Sequence, residues 1–214
     1  MSPPRETIAC LPAPVVSAGF NQAAKIPYGC TVGHIRKAME GFTGFLRLIN
    51  QQLHANGMPR LESFLMSANF SSIVGEFMSA SIPKHCPSLI KNGYHNGHPD
   101  LIPKGMFPGD AIQYAHEGIE IKASRYPKAW QGHNPEDSWL MVFVFDANGP
   151  YDLTRGVDPR PFRFVRVVGA ALTKEDWKFS GRSAESRRTI TASVTASGYE
   201  KMVKNWIYQA PDLP

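Results

Sequence analysis

Apolar residues recur at helical spacing in two long stretches of the N-terminal half. The first stretch runs from Val32 to about Ala55, where "ANG" supplies a stop. Its apolar positions are Ile35, Met39, Phe42, Leu46, Ile49 and Leu53. The second stretch runs from about Arg60 to Ser81, ends at "IPKHCP", and could be divided in two by "SANFSS". Both stretches predict amphipathic helices.

The pattern becomes strand-like after residue 110. "DAIQYAHEGIEIKAS" (110–124) predicts a β-hairpin with its turn near His116 to Gly118. The continuous apolar run "SWLMVFVF" (138–145) is typical of a central strand that is buried on both faces. "FRFVRVVGAAL" (162–172) predicts another strand, and the alternation in "RRTITASVTAS" (187–197) predicts a half-exposed strand or an extended loop.

The C-terminal "GYEKMVKNWIY" (198–208) predicts a last helix with Tyr199, Met202, Val203, Trp206 and Ile207 on one face. Residues 1–30 are rich in Pro, Ala and Gly, so we expect an irregular N-terminal arm there. Residues 86–110 are loop-like, and no internal repeat or long linker divides the chain. The remaining residues, 31–214, are therefore expected to form a single domain of the α/β or α+β class.

Composition narrows the class of protein. With 43% hydrophobic and 19% charged residues, the 214-residue chain suits a globular protein, and it lacks the apolar run of about 18 residues that a transmembrane helix needs. The N-terminus does not follow the signal-peptide pattern. Cys10, Cys30 and Cys86 are far apart and form no CxxC, so neither a disulfide framework nor a cysteine-based zinc site is expected. A cytoplasmic location fits these features.

Positive charge is concentrated near the C-terminus. Residues 155–206 carry a net charge of +6, whereas the rest of the chain carries −1. Such asymmetry favours a face that meets a polyanion such as DNA. The alternative is the solvated basic surface of an ordinary enzyme.

A short pattern of acidic and basic residues suggests a catalytic site. In "EGIEIKAS" (117–124), Glu120 and Lys122 share one face of the predicted strand, and isoleucines occupy the other face. Asp100 lies twenty residues before Glu120, in "GHPDLIP". This Pro-Asp followed by Glu-x-Lys resembles the PD-(D/E)xK nuclease superfamily, which includes most type II restriction endonucleases. The resemblance covers roughly residues 70–145, which would be the catalytic core.

The resemblance implies a restriction-endonuclease-like core, in which helices flank a central mixed β-sheet. It implies that Asp100 and Glu120 hold Mg²⁺, that Lys122 acts on the attacking water, and that Glu76 on the preceding helix adds a further acidic group. Oxygen ligands from one or two carboxylates suit Mg²⁺. The products would carry 5′-phosphate and 3′-hydroxyl ends.

Several alternatives remain open on the sequence alone. Asp110 rivals Asp100 as the metal ligand, because it opens the predicted strand that pairs with Glu120. Glu120 and Lys122 could instead form an exposed ion pair that contributes only about 0–1 kcal/mol. His95 and His98, followed by Asp100, could suggest zinc, although no fourth ligand lies at a suitable spacing.

Two segments carry residue types that contact phosphates or base edges. The candidates in residues 124–139 are Arg125, Lys128, Gln131, His133 and Asn134; those in residues 180–189 are Arg182, Arg187 and Arg188. The first segment could equally be a structured loop that packs Trp130 and Trp139 into the core.

The function predicted from the sequence is Mg²⁺-dependent cleavage of double-stranded DNA by a type II restriction endonuclease. Cutting both strands favours a homodimer, and such an enzyme would have a methyltransferase encoded nearby. The alternatives are a structure-specific repair or recombination nuclease and a catalytically silent DNA-binding module on the same fold.

Overall fold

A computed structural model describes residues 5–132, 134–179 and 192–211. Its α-helices are α1 (Arg5–Ala9), α2 (Val32–Ala55), α3 (Leu61–Phe64), α4 (Ser67–His85) and α5 (Ala196–Lys204). Its strands are β1 (Leu89–Lys91), β2 (Leu101–Pro103), β3 (Ile119–Ser124), β4 (Gln131–Gly132), β5 (Ser138–Asp146), β6 (Arg163–Leu172), β7 (Trp177–Phe179), β8 (Ala192–Val194) and β9 (Trp206–Gln209).

The strands form two sheets. The main sheet has the order β1-β2-β3-β5-β6-β9, and the small sheet has the order β4-β8-β7. In the main sheet β3 and β5 are parallel, while the other neighbours are antiparallel. The predicted α/β class with a mixed sheet flanked by helices is therefore confirmed.

The domain has three layers, and a hydrophobic cluster lies between each pair of neighbouring layers. On one face of the main sheet, Ile121 and Phe143 pack against α2 and α4. On the other face, Leu140 and Val142 pack against the small sheet and Met202 of α5. The apolar run of β5 serves both clusters, as its sequence predicted. Among the described residues, no helix combines the length and apolar character that crossing a bilayer requires.

The two predicted N-terminal helices form. Helix α2 has the predicted bounds, and Thr31 caps it by accepting a hydrogen bond from the His34 backbone N–H. The second stretch is divided, but the break lies at Leu65 and Met66, just before "SANFSS". Helix α4 then continues through Pro83 to His85, beyond the predicted end.

The predicted hairpin over residues 110–124 is wrong in its first strand. The antiparallel neighbour of β3 is β2, in a stretch that was expected to be a loop, and Leu101 is opposite Ile119. Gly118 permits this approach because its φ is +145° and a Cβ there would collide with the Leu101 carbonyl oxygen and the Pro99 ring. The buried Leu101 and Ile102 supply the apolar contacts that hold β2 in place.

The predicted C-terminal helix is also too long. Helix α5 ends at Lys204, and Trp206 and Ile207 belong to β9, which pairs with β6. Asn205 fixes the change of direction, because its side-chain amide donates hydrogen bonds to the carbonyl oxygens of Gly169 and Lys25. An edge position on the main sheet thus overrides the local helical pattern.

The described part of the N-terminal arm, residues 5–30, packs against the core. It contains α1, and Phe20 forms a bridge with Tyr208 of β9. The buried side chains of Cys10 and Cys30 belong to the same region. The arm therefore contributes to the interior of the domain as well as to its surface.

Arg60 is the centre of a buried polar cluster beside α3. Only 1% of its side chain is exposed, and it pairs with Glu62 at 2.6 Å and Glu6 at 2.8 Å. It also donates hydrogen bonds to Asn148 Oδ1 and to the Arg160 carbonyl oxygen. The cluster therefore ties the N-terminal arm and α3 to the loop after β5.

Arg60→Met is expected to lower the free energy of unfolding by about 3 kcal/mol or more, because it leaves the Glu62 carboxylate buried without its cation. Urea unfolding measures the change. Arg36→Met is the matched control, since Arg36 also pairs with a carboxylate, Glu40, at 2.8 Å but is half exposed. The control should lose about 0–1 kcal/mol. Equal losses in the two variants would contradict the assignment of Arg60 as a structural centre.

Candidate active site

A cavity of about 670 Å³ opens beside β3, between helix α4 and the small sheet. Helix α4 contributes small residues to its wall, including Ser71, Gly75 and Ser79, and the small sheet contributes Gly132 and Trp177. The charged or ionisable side chains that line it are Glu76, His98, Asp100, Glu120, Lys122 and Glu136. The cavity thus gathers both carboxylates and cations.

Strand β3 directs Glu120 and Lys122 to the same side. Ile119 and Ile121 point into the cluster against α2 and α4, so the alternate residues face the small sheet. The register with β5 places Glu120 beside Leu140 and Lys122 beside Val142. The alternation seen in the sequence therefore determines which face of the sheet carries the polar pair.

Asp100, the residue directly before β2, lines the same cavity as Glu120 and Lys122. The two strands pair at Leu101 and Ile119, so the antiparallel register puts Asp100 beside Glu120, one residue past this pair. Asp100 Oδ2 accepts a 2.8 Å hydrogen bond from the Ile121 backbone N–H. The carboxylate satisfies a strand donor where β2 no longer pairs with β3.

Two cations hold Glu120. Lys122 Nζ donates to Glu120 Oε1 at 2.6 Å, and His98 Nδ1 lies 3.0 Å from Glu120 Oε2. Burial alone would raise the pKa of Glu120, but His98 and Lys122 outweigh burial and lower that pKa to about 2. Glu120 is therefore ionised over the whole physiological range of pH.

His98 bridges two carboxylates. Its Nε2 lies 2.9 Å from Glu136 Oε2, and its ring stacks on Tyr114 with centroids 5.6 Å apart. The Nε2 contact is an ion pair without hydrogen-bond alignment. Burial opposes the charge on His98, yet Glu120 and Glu136 raise its pKa to about 9. His98 is therefore a cation at neutral pH.

The pKa of Asp100 is shifted in the opposite direction from that of Glu120. Burial first, and then the neighbouring charge of Glu120, raises its pKa to about 7, although the Ile121 N–H and Lys122 act against that rise. Burial disfavours the charge on Lys122, but Glu120 and Asp100 outweigh it and raise the pKa of the lysine. Asp100 is therefore only partly ionised at neutral pH, and a bound cation would favour its ionised form.

The structure places Glu76 and Asp110 differently from the three central residues. Glu76 lines the cavity from α4, but 68% of its side chain is exposed and it pairs with Lys91 at 2.6 Å. Asp110 Oδ1 accepts a hydrogen bond from the Gly105 backbone N–H. It does not line the cavity with Glu120, because the strand expected to carry it does not form.

The candidate DNA-binding residues of the 124–139 segment have different surroundings. The Arg125 guanidinium is half-buried and donates to the carbonyl oxygens of Ala147 and Asn148, so it supports the loop after β5 and does not project outwards. Lys128, Gln131 and Asn134 are exposed, and Asn134 also lines the cavity. His133, Arg182, Arg187 and Arg188 lie outside the described residues.

Sequence reasoning missed two charged groups. His98 stood out only as a zinc candidate with His95, yet His95 is exposed and does not line the cavity, whereas His98 pairs with Glu120 and Glu136. Glu136 lies in the polar loop "NPEDSW", which has no periodicity to mark it. The Trp130 ring, by contrast, is buried, as the structured-loop alternative required.

The donor set agrees with the predicted cation. Asp100 and Glu120 offer carboxylate oxygens from adjacent strands, and Mg²⁺ binds through one or two carboxylates while it keeps several waters. Burial and the charge of Glu120 raise the pKa of Asp100, and a cation held by both carboxylates would offset both effects. The residues present therefore fit a hard divalent cation at Asp100 and Glu120.

The pH dependence of stability should reveal the His98 bridge. Since the pKa of His98 is about 9 in the folded protein and about 6.5 in the unfolded chain, its stabilisation is complete below pH 6.5. It is lost as the pH rises through 9. Metal-free protein should lose up to about 3 kcal/mol of unfolding free energy over this range.

Urea unfolding between pH 6.5 and 9.5 in the presence of a chelator tests this expectation. His98→Gln should flatten the profile, whereas His95→Gln, at an exposed position three residues earlier, should follow the wild type. An equally steep profile in His98→Gln would assign the pH dependence to other groups.

Comparison with protein-family models yields no match, and comparison with curated proteins yields no significant match. The fold and the cavity define this chain as a mixed α/β protein with a cluster of carboxylate, lysine and histidine side chains beside strand β3 of its main sheet.

Proposed function

We propose that this protein is a Mg²⁺-dependent DNA endonuclease with a PD-(D/E)xK core, and that its role is that of a type II restriction endonuclease. One observation carries the proposal: Asp100, Glu120 and Lys122 line a single cavity, although twenty residues separate the first two. These are the residue types, in the order along the chain, that the superfamily motif requires. Helix α4 carries the additional Glu76 on the cavity wall.

Each side chain has a role that its surroundings support. Asp100 and Glu120 would hold Mg²⁺, which when bound polarises the scissile phosphate and lowers the pKa of a coordinated water. Lys122 remains cationic beside Glu120. It would orient the attacking water and offset the negative charge that grows on the phosphate. His98 would keep the carboxylate of Glu120 in position from its other side.

The basic C-terminal part would supply contacts to the DNA backbone. The strands that flank residues 180–191 are paired, with Phe179 opposite Ala192, and Ala192 is also opposite Gly132 of the cavity wall. The described residues on either side of the arginine-containing segment, Phe179 and Ala192, therefore lie close to the cavity wall. Lys128 and Lys178 are exposed, so their ammonium groups can meet phosphates.

The finer features of the role follow from the same proposal. A restriction-endonuclease-like fold fits the mixed sheet with the charged cluster on β3, and a homodimer would place two such clusters on opposite DNA strands. The protein would act in the cytoplasm, with a partner methyltransferase encoded nearby. The free, buried cysteines are compatible with a reducing compartment.

Incubation with supercoiled plasmid and Mg²⁺ tests the proposal. A restriction endonuclease should produce discrete fragments, and a chelator should prevent their formation. Selective nicking or a smear would favour the structure-specific nuclease. A shift of DNA mobility without any cleavage across a range of Mg²⁺ and Mn²⁺ concentrations would favour the silent binding module and overturn the proposed activity.

A further inference from the structure

A second group of potential ligands lies outside the cavity that holds the carboxylate cluster. The side chains of Cys30, His34 and Cys86 offer two sulfur atoms and one ring nitrogen, all within 4.8 Å of one another. Cys30 lies just before α2, His34 lies in its first turn, and Cys86 directly follows the last residue of α4. The fold therefore joins two cysteines that are 56 positions apart in the sequence, which is why their spacing predicted no cysteine-based site.

We propose that Cys30, His34 and Cys86 form a binding site for Zn²⁺. Two thiolates and an imidazole are the ligands that zinc prefers in proteins, and they discriminate against Mg²⁺. In a tetrahedral site with Zn–S near 2.3 Å and Zn–N near 2.0 Å, neighbouring ligand atoms lie about 3.3–3.8 Å apart. The observed group would therefore contract by about 1 Å or less around the ion.

The surroundings of the three residues support ligation. Cys86 is fully buried and Cys30 is 5% exposed, whereas His34 is half-buried, so solvent can enter from the histidine side and a water can complete the tetrahedron. The Cys86 sulfur lies 3.3 Å from Ser88 Oγ, and the Ser88 hydroxyl donates its proton to the Tyr28 carbonyl oxygen. When Cys86 binds the ion as a thiolate, Ser88 would have to turn from Tyr28 to donate to the metal-bound sulfur.

Binding of Zn²⁺ would change one hydrogen bond in the cap of α2 and would release two protons. His34 Nδ1 accepts a hydrogen bond from the Thr31 backbone N–H in the metal-free structure, and this bond belongs to the cap of α2. Ligation through Nδ1 would replace it, and ligation through Nε2 would make Nδ1 a donor that needs a new acceptor. Each cysteine thiol releases one proton when its sulfur binds the ion, so the neutral group and Zn²⁺ yield a bound ion and two protons.

The site would fasten two helices of the layer that covers one face of the main sheet. It would connect the end of the N-terminal arm and the first turn of α2 to the C-terminal end of α4. Helix α4 carries Ser71, Gly75 and Ser79 on the wall of the candidate active site. The ion would therefore have a structural role, separate from the chemistry proposed at Asp100 and Glu120.

Titration of reduced, metal-free protein with Co²⁺ and then Zn²⁺ tests the site. Co²⁺ bound by thiolates gives a sulfur-to-metal charge-transfer absorption, which carboxylates at the other site cannot produce. One equivalent of Co²⁺ should generate this absorption, one equivalent of Zn²⁺ should remove it, and Zn²⁺ should raise the thermal midpoint of unfolding.

Cysteine variants locate the binding. Cys30→Ser and Cys86→Ser should lose the charge-transfer absorption or weaken Zn²⁺ binding by more than about 100-fold, since even outer contacts are worth about 10–100-fold. Cys10→Ser is the matched control, because Cys10 is also a buried free thiol but its sulfur contacts the Asn50 carbonyl oxygen. This control should bind like the wild type.

His34→Gln should weaken Zn²⁺ binding and retain some thiolate-to-cobalt absorption. Absence of the absorption in the wild type, or its persistence with wild-type affinity in both Cys30→Ser and Cys86→Ser, would overturn the proposal. Cleavage assays with Mg²⁺ are independent of this result, so failure of the zinc site would leave the proposed nuclease function unaffected.

Discussion

Replacing Lys122 with methionine is expected to lower the rate of Mg²⁺-dependent DNA cleavage by about 10²–10³-fold, the usual loss when one preorganised charge is removed from an active site. The aliphatic part of methionine fills most of the volume of the lysine side chain. Glu120 keeps its contact with His98 at 3.0 Å, so the carboxylate retains one cation. The variant should therefore fold, and the loss should lie in the chemical step.

Single-turnover cleavage with saturating protein separates this loss from weaker DNA binding. Lys104→Met is the matched control, because Lys104 is exposed in the loop after β2 and does not line the cavity. It should cleave at the wild-type rate. If Lys122→Met cleaved as fast as this control, Lys122 would have no part in the reaction.

Glu120 is a less selective target than Lys122. Glu120→Gln would remove the carboxylate that Lys122 and His98 share and leave two half-buried cations close together, with only His98 still paired to Glu136. Loss of cleavage in that variant could reflect misfolding as well as loss of the metal ligand. The paired contacts around Glu120 thus make Lys122 the better residue for the test.

The elements that sequence analysis predicted correctly depend on local periodicity. The helical spacing over Val32–Ala55 and the apolar run of β5 each reflect burial that neighbouring residues share. The relation between Glu120 and Lys122 is equally local, because two residues of one strand always share a face. These features need no knowledge of distant partners.

The errors arise where distant parts of the chain decide the structure. Leu101 pairs with Ile119 and displaces the expected hairpin partner, and Trp206 leaves the predicted helix because β6 offers an open edge. His98 and Glu136 are 38 residues apart and meet only because the loop after β3 returns to the cavity. Pairing of this kind leaves no periodic pattern in the sequence.

Asp100 depends on both local sequence and distant parts of the chain. Its Pro-Asp context marked it as a candidate, but its interaction with the Ile121 N–H depends on where β2 ends. The same geometry buries its carboxylate beside Glu120, and burial first and then the charge of Glu120 raise its pKa to about 7. The ordinary value of 3.8 applies to the unfolded chain, so at pH 8 the ionised carboxylate destabilises the metal-free fold by as much as about 4 kcal/mol.

Asp100→Asn is therefore expected to stabilise the metal-free protein and to abolish cleavage. Asparagine can still accept the hydrogen bond from the Ile121 N–H through its amide oxygen, but it carries no charge to repel Glu120. The unfolding free energy at pH 8 should rise by about 2–4 kcal/mol. The gain should be smaller at pH 5, because the wild-type carboxyl is protonated there and no longer repels its neighbour.

Urea unfolding at both pH values, paired with plasmid cleavage, measures the two effects. Asp110→Asn is the matched control, since Asp110 accepts a hydrogen bond from Gly105 away from the cavity. It should keep cleavage and show no gain in stability that grows with pH. If Asp110→Asn lost cleavage while Asp100→Asn kept it, the metal ligand would be Asp110. A cleavage-deficient Asp100→Asn with increased stability would indicate that the protein maintains a destabilising carboxylate pair because a cation binds there.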